Sequence, residues 1–126
     1  MKLLLDTHIL LWWLNDDGKL SGQARQFITN PENDIYVSDI SLLEIQIKIM
    51  NGKLNMDLEI LIQQISENNM QQLRIHRNHI LSLAKLPRHH QDPFDRMLIS
   101  QAISEPLHLI THDKCVALYS ESIILV

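Results

Sequence analysis

Short apolar runs alternate along the chain with longer segments in which apolar residues recur every three or four positions. The short runs predict strands at Lys2–Leu5, Ile35–Val37, Leu73–Ile75, Leu107–Ile110 and Ile123–Leu125. The longer segments have the spacing of helices, and they are Thr7–Leu14, Gly22–Thr29, Ile40–Met50, Leu58–Asn68, Asn78–Lys85 and Pro93–Ser104. Almost wholly apolar strands that alternate with helices indicate a mainly parallel sheet with helices on both faces. We therefore predict an α/β domain in three layers, with a central sheet of four or five strands.

Length and composition are those of one soluble domain. The 126 residues contain no repeat, low-complexity tract or linker, so we expect a single domain over residues 1–126. Cys115 is the only cysteine, which excludes an internal disulfide and a cysteine-based zinc cluster. The net charge of −4 means that any contact with nucleic acid must come from a local basic patch. Asp6 interrupts the N-terminal apolar run and no small-residue cleavage site follows, so we expect a cytoplasmic protein without signal peptide or membrane span.

Two acidic residues follow predicted strands. Asp6 comes directly after Lys2–Leu5, and Asp113 lies just beyond Leu107–Ile110. Each has a structural role open to it, because aspartate caps the N-terminus of a helix by accepting hydrogen bonds from free backbone N–H groups. In open parallel sheets, however, ligands bind beyond the carboxyl ends of the strands. Both positions therefore carry functional weight as well.

Glu44 lies among apolar residues of a predicted helix. At about 100° per residue, the shared arc consists of Ile40, Leu43, Glu44 and Ile47. A carboxylate in such an arc needs a partner, because burying it alone is unfavourable or shifts its pKa. Ser41 could form a capping box with it, and Lys48 could form an ion pair one turn further on. The capping box would start the helix late, since Ser38 or Asp39 is a better-placed N-cap.

Asp95 has a similar setting in the helix Pro93–Ser104. Asp92 is a good N-cap and Pro93 suits the first helical position, which puts Asp95 in the third. Interaction with the helix dipole explains an acid in the first turn, but not one centred on an apolar arc. The neighbours on that arc are Phe94, Leu98, Ile99 and Ala102.

Together, these four acids occupy elements that a parallel sheet brings close to one another. Clustered carboxylates repel one another unless a proton or a cation neutralises them. Oxygen ligands favour hard ions, so Mg²⁺ or Mn²⁺ is the expected cofactor. Such an ion can activate water and stabilise charge during phosphodiester cleavage. The acids therefore point to a metal-dependent nuclease.

Four blocks of this sequence resemble the PIN domains, and among them most closely the VapC-type toxins of bacterial toxin–antitoxin pairs. The blocks are Leu-Leu-Asp-Thr-His at residues 4–8, Ser-Leu-Leu-Glu-Ile at 41–45, Asp-Pro-Phe-Asp-Arg-Met-Leu-Ile at 92–99 and Leu-Ile-Thr-His-Asp at 109–113. They stand in the order expected of the family, and the likeness extends from the first residues to about Tyr119. Each block alone is modest, but four in order are quite specific.

The resemblance implies a PIN-like fold and an Mg²⁺- or Mn²⁺-dependent endoribonuclease that hydrolyses RNA with metal-activated water. It also implies frequent homodimers and inhibition by a small cognate antitoxin. By motif position, the catalytic and metal-binding acids would be Asp6, Glu44, Asp95 and Asp113. Thr7 and Thr111 stand beside them and could position water or a ligand. Asp92 belongs to the same motif, although capping is the favoured role for it.

A local basic cluster adjoins the proposed centre. It consists of Lys85, Arg88, His89, His90 and Arg96. The cluster is either a solvated surface or a contact for RNA phosphates, and in the second case the expected contacts are Arg88, His90 and Arg96. A histidine-rich zinc site is not favoured, because adjacent histidines on an extended segment usually point apart.

The two adjacent tryptophans bear on the expected partners. Trp12 and Trp13 cannot both face inward on one helix. We expect a homodimer, and an antitoxin segment that covers exposed apolar side chains near one of the two tryptophans.

One alternative from another class is a phosphoacceptor receiver-like signalling domain, which has a similar size and layout. It would use Asp6 for metal, Asp39 as the acceptor and Lys114 beyond a later strand. Receivers usually carry paired acids at the first strand, whereas Thr7 and His8 follow Asp6 here. The receiver interpretation also leaves Glu44 and Asp95 without a role.

Overall fold

Five strands and seven helices alternate in the computed structural model, which describes residues 1–126. The strands are β1 Lys2–Leu5, β2 Asp34–Ser38, β3 Gln71–Leu73, β4 His108–Thr111 and β5 Ile124–Leu125. The helices are α1 Thr7–Leu14, α2 Gly22–Thr29, α3 Asp39–Met50, α4 Leu58–Glu67, α5 Arg77–Leu83, α6 Pro93–Ser104 and α7 Lys114–Ala117. None of these helices has the length and apolar content needed to cross a membrane.

All strand pairs are parallel, and the strands lie side by side in the order β3-β2-β1-β4-β5. Strand β1 is therefore central, with Leu3 in register with Ile35 of β2 and His108 of β4. The carboxyl ends of β1, β2 and β4 meet at one edge of the sheet. This order differs from the 2-1-3-4-5 order of receiver domains, so the receiver alternative is wrong.

Alternation along the strands divides the interior into two cores, one on each face of the sheet. Leu3 and Leu5 of β1 point into a core formed with helices α1 to α4, whereas Leu4 points into a second core with α6 and α7. Helices on both faces explain why the strands are almost continuously apolar. The predicted three-layer α/β arrangement is confirmed.

Strand β3 lies two residues earlier than the sequence predicted. The predicted run was Leu73–Ile75, but Gln71 to Leu73 pair with β2, and Ile75 is exposed. Because β3 is an edge strand, its polar residues Gln71 and Gln72 face solvent. An edge strand buries too little side-chain surface to leave a clear apolar signal in the sequence.

Helix α3 presents a different face to the interior than the predicted arc. Ile40 and Glu44 are buried as expected, but Leu43 is 48% exposed and Ile47 is 37% exposed. Ser41 and Ile45 complete the buried side instead. The helix contacts both α1 and α6, so its buried side extends toward residues 41 and 45. Glu44 consequently lies at the edge of a packed face, beside the ends of the strands.

Candidate metal centre

Asp6 stands at the end of the central strand and is fixed through both carboxylate oxygens. Its Oδ1 accepts a hydrogen bond of 2.8 Å from the backbone N–H of His8, which caps α1 as predicted. Its Oδ2 accepts a hydrogen bond of 2.8 Å from Oγ1 of Thr111, at the end of the adjacent strand β4. The same Thr111 oxygen accepts from the backbone N–H of Asp113 at 3.0 Å. Thr111 therefore links the two acids that follow strands.

Glu44 is 5% exposed and has one partnered and one unpartnered oxygen. Nζ of Lys48 lies 3.0 Å from Oε2, so the helical ion pair is present. The capping box with Ser41 is absent, because α3 begins at Asp39 and Ser38 is its N-cap. Oε1 of Glu44 is buried and has no hydrogen-bond partner. A buried carboxylate oxygen without a donor is unfavourable, and this oxygen is free to accept a ligand.

Asp95 is held in the first turn of α6, close to the other acids. Asp92 is the N-cap and accepts hydrogen bonds from the backbone N–H groups of Phe94 and Asp95. Burial of the Asp95 carboxyl raises its pKa, and the negative charges of Asp6, Asp92 and Glu44 raise it further. His90 acts in the opposite direction, and the resulting pKa of Asp95 is about 7. Carboxylates that disturb one another in this way lie in one electrostatic neighbourhood.

His90 lies between the two remaining carboxylates. Its Nε2 atom is 2.9 Å from Oδ2 of Asp95 and 3.3 Å from Oδ2 of Asp113. Its Nδ1 atom accepts a hydrogen bond from the backbone N–H of Asp92, which places the ring proton on Nε2 of the neutral imidazole. Asp113 is also the N-cap of α7. In the sequence, the only sign of this role for His90 is its position two residues before Asp92.

The residues of this centre fit a divalent cation of the hard class. Asp6, Glu44, Asp95 and Asp113 supply oxygen donors, which Mg²⁺ and Mn²⁺ prefer. Burial raises the pKa of Asp95 and repulsion by the neighbouring carboxylates raises it further, while Oε1 of Glu44 has no hydrogen-bond donor. A bound cation would relieve that repulsion.

The two threonines have different roles in the structure. Thr111 orients Asp6, whereas the Thr7 hydroxyl donates a hydrogen bond of 2.9 Å to Oγ of Ser41 and so ties α1 to α3. Both threonines are buried. Thr7 therefore has a structural role that competes with the predicted role of positioning water or a ligand.

Arg96 is half-buried, and its guanidinium group is engaged in hydrogen bonds within the chain. Its guanidinium group donates hydrogen bonds to the carbonyl oxygens of Leu83, Leu86, Pro87 and His90 and contacts the Tyr119 hydroxyl. The side chain thus fixes the loop between α5 and α6. Nearness in sequence to the acidic motif suggested an RNA contact for Arg96. The sequence gives no information about the carbonyl oxygens that bind this side chain in the folded protein. Arg88, by contrast, is exposed.

Comparison with known families decides the identity of this fold. The profile of the PIN domain matches residues 3–119. The chain belongs to the PIN domain family. No curated protein sequence matches the chain, so the family assignment comes from the PIN profile itself.

Three solved structures are similar to this PIN domain. A VapBC2 complex from Rickettsia felis, bound to a DNA fragment from its promoter, has a TM-score of 0.72 and 19% identity, over 100% of this chain and 98% of the other. FitAcB from Neisseria gonorrhoeae has a TM-score of 0.69 and 14% identity, over 98% and 96%. A toxin–antitoxin complex from Klebsiella pneumoniae has a TM-score of 0.63 and 17% identity, over 97% and 95%. At these identities the likeness establishes the fold.

Proposed function

We propose that this PIN domain is a metal-dependent endoribonuclease and the toxin of a toxin–antitoxin pair. The observation that carries the nuclease assignment is the partly buried acidic centre at the carboxyl ends of β1 and β4. In this centre Oε1 of Glu44 has no hydrogen-bond donor, and burial together with neighbouring carboxylates raises the pKa of Asp95. Hydrolysis of a phosphodiester requires a positive charge beside the phosphate. The carboxylates of this centre are suitable ligands for a cation at that position.

The residues that would hold the cation are Asp6, Glu44, Asp95 and Asp113. When bound, Mg²⁺ or Mn²⁺ lowers the pKa of a water molecule and neutralises charge that develops on the scissile phosphate. Thr111 keeps Asp6 in its orientation, and the cap formed by Asp92 keeps Asp95 in the first turn of α6. These outer contacts matter because a ligand must be held in place before the ion arrives.

Asp113 has the most room among the four acids to act on water. Its side chain is 33% exposed, compared with 20% for Asp95. Its Oδ1 accepts the N-capping hydrogen bond from Cys115, whereas Oδ2 faces the centre. Because Oδ1 is engaged by the Cys115 N–H, Oδ2 is the Asp113 atom that would serve the centre.

The RNA backbone meets a basic pocket at the rim of the centre. Arg88 and His90 line this open pocket together with Gln91 and Arg96. Arg88 supplies an exposed positive charge for phosphate, whereas the Nε2 atom of His90 lies against the carboxylates of Asp95 and Asp113. Because the whole chain carries a net charge of −4, binding to RNA depends strongly on these few groups and on salt.

The partner in this proposal is a small cognate antitoxin, and the similarity to the toxin–antitoxin complex from Klebsiella pneumoniae supports it. The antitoxin covers a groove beside α1 and α4, lined by Trp13, Leu14, Gln64 and Asn68 among others. Trp13 is only half-buried there, and its Nε1 donates to Oδ1 of Asn68. An amphipathic segment of the antitoxin would bury the exposed part of the indole ring.

The protein is also proposed to form a homodimer. Three apolar side chains on α3, Leu43, Ile47 and Met50, recur at helical spacing and are exposed. A stripe with this spacing is the usual form of a helix that packs against a second apolar surface.

Incubation of the purified protein with labelled RNA and Mn²⁺ tests the nuclease assignment. Cleavage is expected with the ion and not in EDTA, and Asp6→Asn and Asp95→Asn should each remove most of it while the fold is retained. Asp34→Asn is the matched control, because Asp34 is an exposed acid at the opposite end of a strand. Cleavage that survives either centre substitution would overturn the assignment.

The toxin assignment has its own experiment. The chain is expressed alone, and then together with the short protein encoded by the neighbouring upstream reading frame. We expect growth arrest in the first case and recovery in the second, with a stable complex between the two proteins. A neighbouring gene product that neither binds nor restores growth would contradict the toxin assignment and leave the nuclease assignment intact.

A further inference from the structure

Three rings form a contiguous cluster beside the acidic centre. The ring centroids of Trp12 and His112 are 4.6 Å apart, those of His8 and His112 are 5.5 Å apart, and those of His8 and Trp12 are 5.9 Å apart. The rings are tilted or perpendicular to one another, at 40° to 83°. These are ordinary distances for aromatic contacts, so each ring holds the other two in position.

This cluster remains open to solvent although it is apolar in part. The His8 side chain is 51% exposed, His112 is exposed and Trp12 is half-buried. None of the three side chains forms a hydrogen bond within the chain. Packing of the domain does not require these rings to be exposed. Because they contact one another in fixed orientations, their exposed surface is available to a ligand.

The position of the rings relative to the acids is fixed by the fold. His8 lies two residues after Asp6, and its Nδ1 atom is 3.9 Å from Oδ1 of that carboxylate. His112 stands between Thr111 and Asp113, at the end of β4. The ring cluster is therefore on the rim of the same centre to which the basic pocket around Arg88 and His90 belongs.

We infer that His8, Trp12 and His112 form a stacking subsite for an unpaired base of the RNA substrate. This inference rests on the proposed ribonuclease function. Proteins that bind single-stranded nucleic acid stack its bases on aromatic and imidazole rings, whereas a base inside a duplex is not accessible to such rings. The subsite thus selects single-stranded or looped RNA and places one nucleotide next to the scissile phosphate.

Stacking and metal ligation make different demands on these side chains. Asp6, His8 and His112 bring one ligand atom each to within 4.8 Å of the others, so an imidazole-bound ion is the main competing explanation. Stacking on a base requires a flat ring but does not depend on a nitrogen lone pair, so phenylalanine can replace histidine. Ligation requires the imidazole nitrogen, which phenylalanine lacks.

The test measures RNA binding in an Asp95→Asn background, in which cleavage is expected to stop. The probes are a short single-stranded oligoadenylate and an abasic oligoribonucleotide of equal length. We expect Trp12→Ala or His112→Ala to weaken oligoadenylate binding about five- to a hundredfold, the range for one stacked base. His8→Phe and His112→Phe should retain most of the affinity, and binding of the abasic probe should be unchanged in all variants.

A fluorescence measurement adds a direct readout of stacking. With Trp13→Phe, Trp12 is the only tryptophan left in the chain. Oligoadenylate should quench its fluorescence, whereas the abasic probe should not. Circular dichroism and thermal melting identify any variant that has lost its fold, and the phenylalanine variants keep the test valid if an alanine variant unfolds.

Three results would overturn the stacking subsite: alanine variants that bind oligoadenylate as tightly as the parent, an absence of quenching, or phenylalanine variants as weak as the alanine ones. If the wild-type protein cleaves RNA in Mn²⁺ and any of these occurs, only the subsite fails. If the wild-type protein neither binds nor cleaves RNA, the proposed function fails and the subsite with it.

Discussion

Thr111 and Asp6 are joined by a hydrogen bond of 2.8 Å between residues 105 positions apart in the chain. Both side chains are almost fully buried, at the ends of adjacent parallel strands. The bond leaves Asp6 a single orientation, with Oδ1 already bound to the His8 amide. The central ligand of the proposed metal centre is thus positioned by the pairing of β1 with β4, before any ion is present.

Thr111→Val should weaken Mn²⁺ binding about ten- to a hundredfold, because loss of an outer-shell hydrogen bond lets the ligand rotate. Isothermal titration calorimetry with Mn²⁺ measures this directly. Thr7→Val is the matched control, since the Thr7 hydroxyl donates to Ser41 and not to a carboxylate. Equal losses in the two variants would mean that general destabilisation, and not the orientation of Asp6, is responsible.

Metal-free protein should lose stability as the pH rises from about 4 to about 7, and Asp95 is the cause. Its pKa in the folded state is about 7, above the ordinary value of 3.8, so the folded state holds the proton more tightly than the unfolded chain. Deprotonation then favours unfolding throughout that interval. Melting temperatures of wild type and Asp95→Asn in EDTA, compared at about pH 5.5 and about pH 8, test this.

Asp95→Asn should flatten this dependence and melt at a higher temperature than wild type at about pH 8. Mn²⁺ should stabilise wild type more at high pH than at low pH, because the ion competes with the proton on Asp95. It should stabilise the asparagine variant little at either pH. A wild-type protein whose melting difference from Asp95→Asn is the same at both pH values would contradict the raised pKa.

Sequence reasoning predicted the fold and its chemistry where local patterns carry the information. Strand β1 and helices α1, α2 and α6 have the predicted limits, because continuous apolar runs and caps such as Asp92 are local signals. The sequence placed β3 two residues too late, because an edge strand is partly polar and leaves a weak apolar pattern. The inward face of α3 was predicted incorrectly, with Leu43 and Ile47 in place of Ser41 and Ile45, since contacts with α1 and α6 from distant parts of the chain determine which of its residues are buried.

The roles of Arg96 and His90 illustrate what the sequence did not contain. Both were assigned to RNA because basic residues near an acidic motif favour that interpretation. In the structure, Arg96 donates to four carbonyl oxygens, and His90 lies against two carboxylates. Backbone carbonyls leave no trace in the residue pattern, so only the folded loop could reveal these partners.

Arg96→Ala should lower the free energy of unfolding by about 2–4 kcal/mol, because it removes several hydrogen bonds to a charged group and leaves carbonyl oxygens unpaired. Arg88→Ala should leave stability unchanged and weaken RNA binding, with the dependence on salt reduced by about one ionic contact. Urea denaturation and RNA titrations at several salt concentrations separate the two effects. Reversed behaviour of the two arginines would contradict the assignment.

The cleaved RNA should carry 5′-phosphate and 3′-hydroxyl ends. Water is the proposed nucleophile, and the ribose 2′-hydroxyl takes no part in such an attack. Mass spectrometry of the fragments distinguishes these ends from 2′,3′-cyclic phosphates. Cyclic ends, or full activity in EDTA, would rule out the hydrolytic mechanism even if the protein cleaves RNA.

Ile47→Lys should dissociate the homodimer, because it places a charge in the middle of the exposed α3 stripe. Ile62→Lys is the control, since Ile62 is an exposed isoleucine on α4, outside that stripe. Sedimentation at micromolar concentration should find monomers for the first variant and dimers for the second. A wild-type protein that is monomeric under these conditions would contradict the dimer itself.

The central place of β1 in the sheet has a consequence for how an ion enters and leaves. The amide of Asp6 donates to the carbonyl oxygen of Ile110 in the middle of the sheet, and such amides exchange their hydrogen only when the whole domain unfolds. The loop that carries His90 is fastened largely by the Arg96 side chain, so it can open alone at a lower free energy. We therefore expect the backbone on the His90 side of the centre to open more often than the backbone on the Asp6 side. Residence of the ion should follow the opening of the loop, and hydrogen exchange in residues 84–91 should slow when Mn²⁺ is added.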